Sequence, residues 1–220
     1  MGELAVFAYG SLMYERVAPD LMLREEKVTL PGYERVFHKV SWVRGCHPHD
    51  AILEVEGVPD RFKTPERNLS LVLGLRRNPH SRVIGFLQTY PSDAAQDVLK
   101  RLDAREGFHA REPLEKQAYH RRPCYVERRD KSTVEAVSYF TNTDSDWVQD
   151  DLPTDTQAAI LASATCKSEG SGTKARGLFY LEGVRQSLAE HGCHDQILEH
   201  LTRCAYKWSS GRLNLLPPIL

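Results

Sequence analysis

The stretch Val6-Phe7-Ala8-Tyr9-Gly10-Ser11-Leu12 is an apolar segment that runs into a glycine-serine turn. Residues Leu4 to Tyr9 are short, apolar and aromatic, which predicts a buried first strand that stops at Gly10. Successive N–H groups at Gly10 and Ser11 could bind an anion, with the serine hydroxyl as a further donor. Glycine is also the usual residue of an ordinary tight turn, so these residues alone leave both interpretations open.

The second informative stretch is Leu102-Asp103-Ala104-Arg105-Glu106-Gly107, at the end of a predicted amphipathic helix. Ser92 is the predicted N-cap, and Gly107 stands where a helix commonly ends with a left-handed residue. A glutamate in this position is usually a solvated surface charge. However, the negative end of the helix dipole favours its protonated form, which suits a general base. One face of the helix is predicted to be apolar through Ala95, Val98, Leu99 and Leu102.

The remaining pattern places strands around one inserted helix and then a run of helices, which predicts an α+β fold. Pro31-Gly32 is interpreted as a turn between two strands, and Asn78-Pro79 as a second break. No linker separates two cores, so we expect a single domain over 1–208 and a C-terminal tail over 209–220. The predicted strands are Glu26–Leu30, Tyr33–Val40, the alternating leucines of 69–75, Arg82–Tyr90, Tyr119–Glu127 and Val134–Thr141, and the later helices are Gln157–Thr165, Gly177–His191 and Asp195–Trp208.

Composition argues against several classes of protein. The net charge is −1, from 29 basic and 30 acidic residues, so there is no electrostatic reason to expect a nucleic acid or an anionic membrane as partner. The arginine pairs 121–122 and 128–129 are interpreted as strand surface. Five scattered cysteines without a C-x-x-C pair are typical of reduced thiols in the cytoplasm. No apolar run approaches the ~20 residues of a membrane span.

Metal and nucleotide motifs are weak in this chain. Cys46-His47-Pro48-His49 lacks a second ligand pair at zinc spacing, so no metal is predicted there. Gly170-Ser171-Gly172 is interpreted as a flexible connector rather than a phosphate loop, because the spacing and the preceding strand are missing.

Three motifs, in their order along the chain, resemble those of the γ-glutamylcyclotransferases, and most closely those of the ChaC-like, glutathione-specific branch. The motifs are Tyr9-Gly10-Ser11-Leu12, Pro31 to Phe37 and Leu102 to Phe108. The resemblance covers roughly residues 4 to 205. It implies a γ-glutamylcyclotransferase-like small mixed β-barrel with flanking helices. It also implies an enzyme without cofactor that releases 5-oxoproline from glutathione or from another small γ-glutamyl substrate.

The same resemblance implies site residues. Glu106 matches the catalytic acid/base. Apart from the resemblance, Tyr139 is a further candidate for the substrate pocket. Met13-Tyr14 departs from the branch, which usually carries tryptophan after the loop, whereas Ser11 favours glutathione or γ-glutamyl amino acids over γ-glutamylamines. Two alternatives stay open: a γ-glutamylamine cyclotransferase, and a non-catalytic module that binds a γ-glutamyl or acidic ligand. The substrate-binding loop by this resemblance comprises Ala8, Tyr9, Gly10, Ser11, Leu12 and Met13.

Overall fold

The structure is a computed structural model that describes residues 2–42, 44, 50–64, 67–108, 113, 116–164 and 177–212. The chain groups into two compact units. The first comprises 1–36 and 74–148, and the second comprises 37–73 and 149–220. The prediction of a single domain over 1–208 with a tail over 209–220 stays a prediction.

Five strands form a closed barrel in the order β1-β3-β2-β4-β5. Strand β1 pairs antiparallel with β3, through Phe7 opposite Leu87, and parallel with β5, through Val6 opposite Val137. This mixed barrel is the predicted fold, and it places the end of β1 beside both neighbours. The strands are β1 (Leu4–Ala8), β2 (Arg24–Ser41), β3 (Ser70–Tyr90), β4 (Tyr119–Glu127) and β5 (Thr133–Thr141).

Two predicted breaks in the sheet are wrong. Strand β2 continues through Pro31-Gly32, where Gly32 adopts a left-handed φ of 78° without ending the strand. Strand β3 likewise continues through Asn78-Pro79. In a barrel, a proline or glycine can mark a local bend of one long strand instead of a reversal of the chain. The leucines of 71–75 are also not half-buried as their alternation predicts, since all five residues of that segment are buried.

In the first unit, the predicted helix is confirmed as α2 (Ala95–Glu106). Val98 and Leu102 are fully buried, as their spacing predicts. Gly107 ends the helix with a φ of 67°. Ser92 is not the N-cap, because the chain makes an extra turn over 92–94 and the cap residue is Ala94.

The second unit contains the remaining helices. Helices α3 and α4 contact α5, which continues four residues past its predicted end at Trp208. In α5, Leu198, Leu201 and Ala205 are buried, whereas Ile197 is half exposed. Among the described residues, no helix is long and apolar enough to cross a membrane. The helices of this unit are α1 (Asp60–Lys63), α3 (Thr154–Ser163), α4 (Leu178–Ala189) and α5 (Gln196–Arg212).

Candidate active site

The loop after β1 turns sharply at Gly10 and enters a single 3₁₀ turn over Ser11–Met13. The first hydrogen bond of this turn runs from the Met13 N–H to the Gly10 carbonyl, over 3.0 Å. The N–H groups of Ser11 and Leu12 therefore precede the turn's own hydrogen bonds, as the first donors of a helix do. At the N-terminus of a helix, donors in this position commonly bind anions.

Buried side chains from neighbouring strands hold the backbone of this loop. Gln88, which is fully buried on β3, donates through Nε2 to the Leu12 carbonyl over 3.0 Å. Arg35, buried on β2, donates through Nε to the Tyr9 carbonyl over 3.0 Å. The side chains of Leu12 and Met13 are themselves buried.

Tyr9 and Tyr139 lie in one hydrogen-bonded chain in the first unit. The Tyr9 hydroxyl donates to the Tyr139 carbonyl over 2.7 Å, and the Tyr139 hydroxyl donates to Asp103 Oδ1 over 2.6 Å. Arg121 Nη1 donates to the other oxygen of Asp103 over 2.5 Å. This chain connects the end of β1 to the last turn of α2.

The pKa of the Tyr139 phenol is raised, first by burial, then by its hydrogen bond to Asp103 and the charge of Asp103, and also by the charge of Glu106. The Arg121 guanidinium has the opposite effect on this pKa, which is smaller than the effects of burial and of Asp103. Tyr139 is therefore a neutral hydrogen-bond donor at ordinary pH.

Glu106 is the last residue of α2, and its side chain is only 16% exposed. The left-handed turn at Gly107 stops the helix there, so the carboxylate lies at the helix end. Arg105 Nε lies 3.3 Å from Glu106 Oε1. The same guanidinium donates through Nη2 to Ser11 Oγ over 2.8 Å. Glu106 is thus linked through one side chain to the loop that follows β1.

Some of these partners were not predicted from the sequence. Arg121 was interpreted as strand surface and Arg105 was assigned no role, but both are partly buried and paired with carboxylates. Asp103 lies in the last turn of the predicted helix, yet no role was assigned to it. The sequence signal for these partners is the spacing Asp103-x-Arg105-Glu106 before a glycine that ends the helix. This spacing places three charged side chains on the last helical turn.

No group of three or more histidine, cysteine, aspartate or glutamate side chains is arranged to hold a metal ion within the ranges that the structure describes. The segment Cys46-His47-Pro48-His49 lies outside the described residues, and so does Gly170-Ser171-Gly172.

Two of the solved structures that match this chain share its fold over nearly its whole length. A selenomethionine-labelled γ-glutamyl cyclotransferase specific to glutathione, from yeast, is 17% identical, covers 94% of this chain and 97% of its own, and superposes with a TM-score of 0.69. A second structure of a glutathione-specific γ-glutamyl cyclotransferase from yeast, also 17% identical, covers 94% of this chain and 99% of its own with a TM-score of 0.64. A search of curated protein sequences gave no significant match.

The family is assigned by sequence. The model of the ChaC-like proteins matches residues 4–207, so this chain belongs to the ChaC-like family. The family predicted from the sequence and the small mixed barrel are both confirmed.

Proposed function

We propose that this protein is a γ-glutamylcyclotransferase that releases 5-oxoproline from glutathione or from a γ-glutamyl amino acid. Membership of the ChaC-like family supports this activity, and so does the fold shared with yeast enzymes described as specific to glutathione. The observation that carries the proposal is the poorly exposed Glu106 carboxylate, linked through Arg105 to Ser11 of the loop.

The substrate of this reaction contains its own nucleophile. The α-amine of the γ-glutamyl group attacks the γ-carbonyl carbon, and a C–N bond closes a five-membered ring. The bond between that carbon and the leaving amine then breaks. The enzyme must therefore fold a flexible chain into the ring geometry, and well-oriented intramolecular reactions reach effective molarities of ~10⁵–10⁸ M.

Proton transfer is assigned to Glu106. An α-amine has a reference pKa of ~7.7–8.0 and is mostly ammonium at neutral pH, so it must lose a proton before it can attack. On the way from ammonium to the N–H of the lactam, the α-nitrogen gives up two protons. Glu106 accepts them one at a time and passes each to the departing nitrogen, which leaves as an ammonium, so the carboxylate is unchanged after each turnover. Acid–base catalysis of this kind contributes typically ~10²–10⁴-fold to the rate.

The loop after β1 is assigned to substrate binding. In this proposal, the backbone N–H groups at Gly10, Ser11 and Leu12 hold the α-carboxylate or the oxyanion that forms at the γ-carbonyl. Ala8 and Met13 contribute backbone at the two ends of the loop. Tyr9 and Tyr139 form the wall beside Glu106.

The decisive experiment is the substitution Glu106→Gln, which preserves shape and removes the base. We expect 5-oxoproline release from glutathione to fall by ~10²–10⁴-fold, with the fold retained by circular dichroism. Asp97→Asn is the matched control, because it makes the same carboxylate-to-amide change on the same helix at a side chain that is 53% exposed. If Glu106→Gln turned over glutathione at the rate of the control, the assignment of the base would be wrong.

A substrate panel then separates the classes of function. Glutathione, γ-Glu-Ala and γ-Glu-ε-Lys are compared for 5-oxoproline formation under the same conditions. Turnover of the first two supports the proposed substrate class, and turnover of the last alone would indicate a γ-glutamylamine cyclotransferase. Saturable binding of glutathione without any product would indicate a binding module instead.

We further propose that the protein acts in the cytoplasm on small molecules, without a nucleic-acid or membrane partner. The cysteines among the described residues support a reducing compartment, since Cys124, Cys193 and Cys204 are all free thiols. The near-neutral net charge of −1 supports the absence of a polyanionic partner.

A further inference from the structure

The Arg105 guanidinium lies at the centre of a three-way contact on the last turn of α2. Its Nε faces Glu106 Oε1 at 3.3 Å, and its Nη2 lies 2.8 Å from both Ser11 Oγ and Glu15 Oε2. The arginine side chain is 25% exposed and Glu15 is 24% exposed, so water screens these contacts only in part. One cation therefore joins the proposed base to Ser11 of the loop after β1 and to Glu15, which follows that loop.

We propose that Arg105 is a positioning residue that holds Glu106 in its carboxylate form and ties it to Ser11 of the substrate loop. This inference rests on the proposed function, in which Glu106 is the base. A planar guanidinium suits this role because its donors point in fixed directions and reach several acceptors at once.

The charges around Glu106 explain why a cation is needed there. Asp103, on the same helical turn, and Glu15, after the loop, are both carboxylates and disfavour a third negative charge. The charge of Asp103 is satisfied by Arg121 on β4 and by the hydroxyl of Tyr139 on β5. The helix dipole at the end of α2 also opposes ionisation. Arg105 acts against all three effects.

Removal of this cation changes the protonation of Glu106 in a defined direction. Without Arg105, the Glu106 carboxyl keeps its proton up to a higher pH, so the base form is lost earlier as the pH falls. An opposite charge within ~4–6 Å typically lowers the pKa of a carboxyl group by ~1–3. Both side chains are partly exposed, which favours the lower end of that range. The acidic limb of the kcat/KM profile in Arg105→Gln should therefore lie about one pH unit higher, which is a roughly tenfold loss on that limb.

The test compares three variants over a pH series with glutathione as substrate. Arg105→Gln removes the charge and the contacts of the guanidinium with Ser11 and Glu15. Arg105→Lys retains the positive charge but lacks the several fixed N–H donors of the guanidinium. We therefore expect the acidic limb of its kcat/KM profile to return towards that of the wild type, while KM stays several-fold higher. Arg101→Gln is the matched control, since Arg101 is 46% exposed one turn earlier and pairs with Asp97. Its profile should match the wild type.

A second measurement does not depend on turnover. The carboxyl carbon of Glu106 is followed by NMR in protein with labelled glutamate, and its signal is identified by its loss in Glu106→Gln. The midpoint of this titration should move to higher pH in Arg105→Gln and return towards the wild-type value in Arg105→Lys. Equal midpoints in the wild type and a folded Arg105→Gln would overturn the role of Arg105. Full activity of Glu106→Gln would instead refute the proposed base, whatever the titration shows.

Discussion

Tyr139→Phe removes a single oxygen atom from the interior of the first unit. The Tyr139 side chain is 2% exposed, and its hydroxyl donates to Asp103 over 2.6 Å. A hydrogen bond to a charged group contributes about 1.5–3 kcal/mol. Asp103 is 22% exposed and keeps its contact with Arg121, so water replaces part of the lost donor and the lower part of that range, about 1.5–2 kcal/mol, is expected.

The assay is equilibrium unfolding in urea at neutral pH, with thermal unfolding as a second measure. For a chain of this size the loss corresponds to a fall in Tm of roughly 3–8 °C. Tyr125→Phe is the matched control, because it removes the same atom from a β4 residue that is 61% exposed. The control should stay within about 0.5 kcal/mol of the wild type. If Tyr139→Phe were as stable as Tyr125→Phe, the Tyr139–Asp103 hydrogen bond would contribute nothing to folding.

The same residue predicts a dependence on alkaline pH. Burial and the negative charge of Asp103 raise the pKa of Tyr139 above its ordinary value near 10. Above that pH the unfolded chain loses the phenolic proton while the folded protein keeps it, so the stability from Tyr139 is present below about pH 10 and declines as the pH rises further. Tyr139→Phe lacks this decline. The gap in unfolding free energy between wild type and variant should therefore narrow above about pH 10.

Three further substitutions test the elements around the site. Gly85→Ala should lower the free energy of unfolding in urea by about 3 kcal/mol, because the new Cβ would lie within 2.6 Å of the Phe7 ring in β1. The control Gly211→Ala, where no atom lies within 4 Å of the new Cβ, should lose no stability. Equal stabilities of the two variants would refute the close approach at Gly85. Gly107→Ala should lose about 1 kcal/mol, because its φ of 67° is costly for a residue with a Cβ, and an unchanged unfolding curve would contradict this. Ser11→Ala should raise KM for glutathione, and unchanged kinetics would leave Ser11 as a turn residue only.

The local elements of this protein follow from short-range patterns. Helix α2 and its end at Gly107 were predictable because helix periodicity and a terminal glycine are properties of neighbouring residues. The β4–β5 hairpin was predictable for the same reason, since two strand-like runs flank the turn residues Asp130-Lys131. The family was also recognisable from three ordered motifs, and it is confirmed over residues 4–207.

Long-range pairing was not accessible in this way. Pro31-Gly32 and Asn78-Pro79 carry turn residues, yet both lie inside long strands, because the ladder of a closed barrel continues past a local bend. Residues 71–75 are likewise buried on both faces of their strand. This burial depends on the elements that pack against each face, and an alternation of residue types along the strand carries no information about those elements.

The sequence by itself determined that a glutamate closes a helix and that a glycine-serine turn follows the first strand. Only the tertiary structure decided that Arg105 joins the two, and that Asp103 takes its donors from β4 and β5. The physical reason is distance along the chain. A helix end is specified within a few residues, whereas the partner of Arg105 lies 94 positions away and that of Tyr139 lies 36 positions away. Such contacts exist only after the barrel has closed.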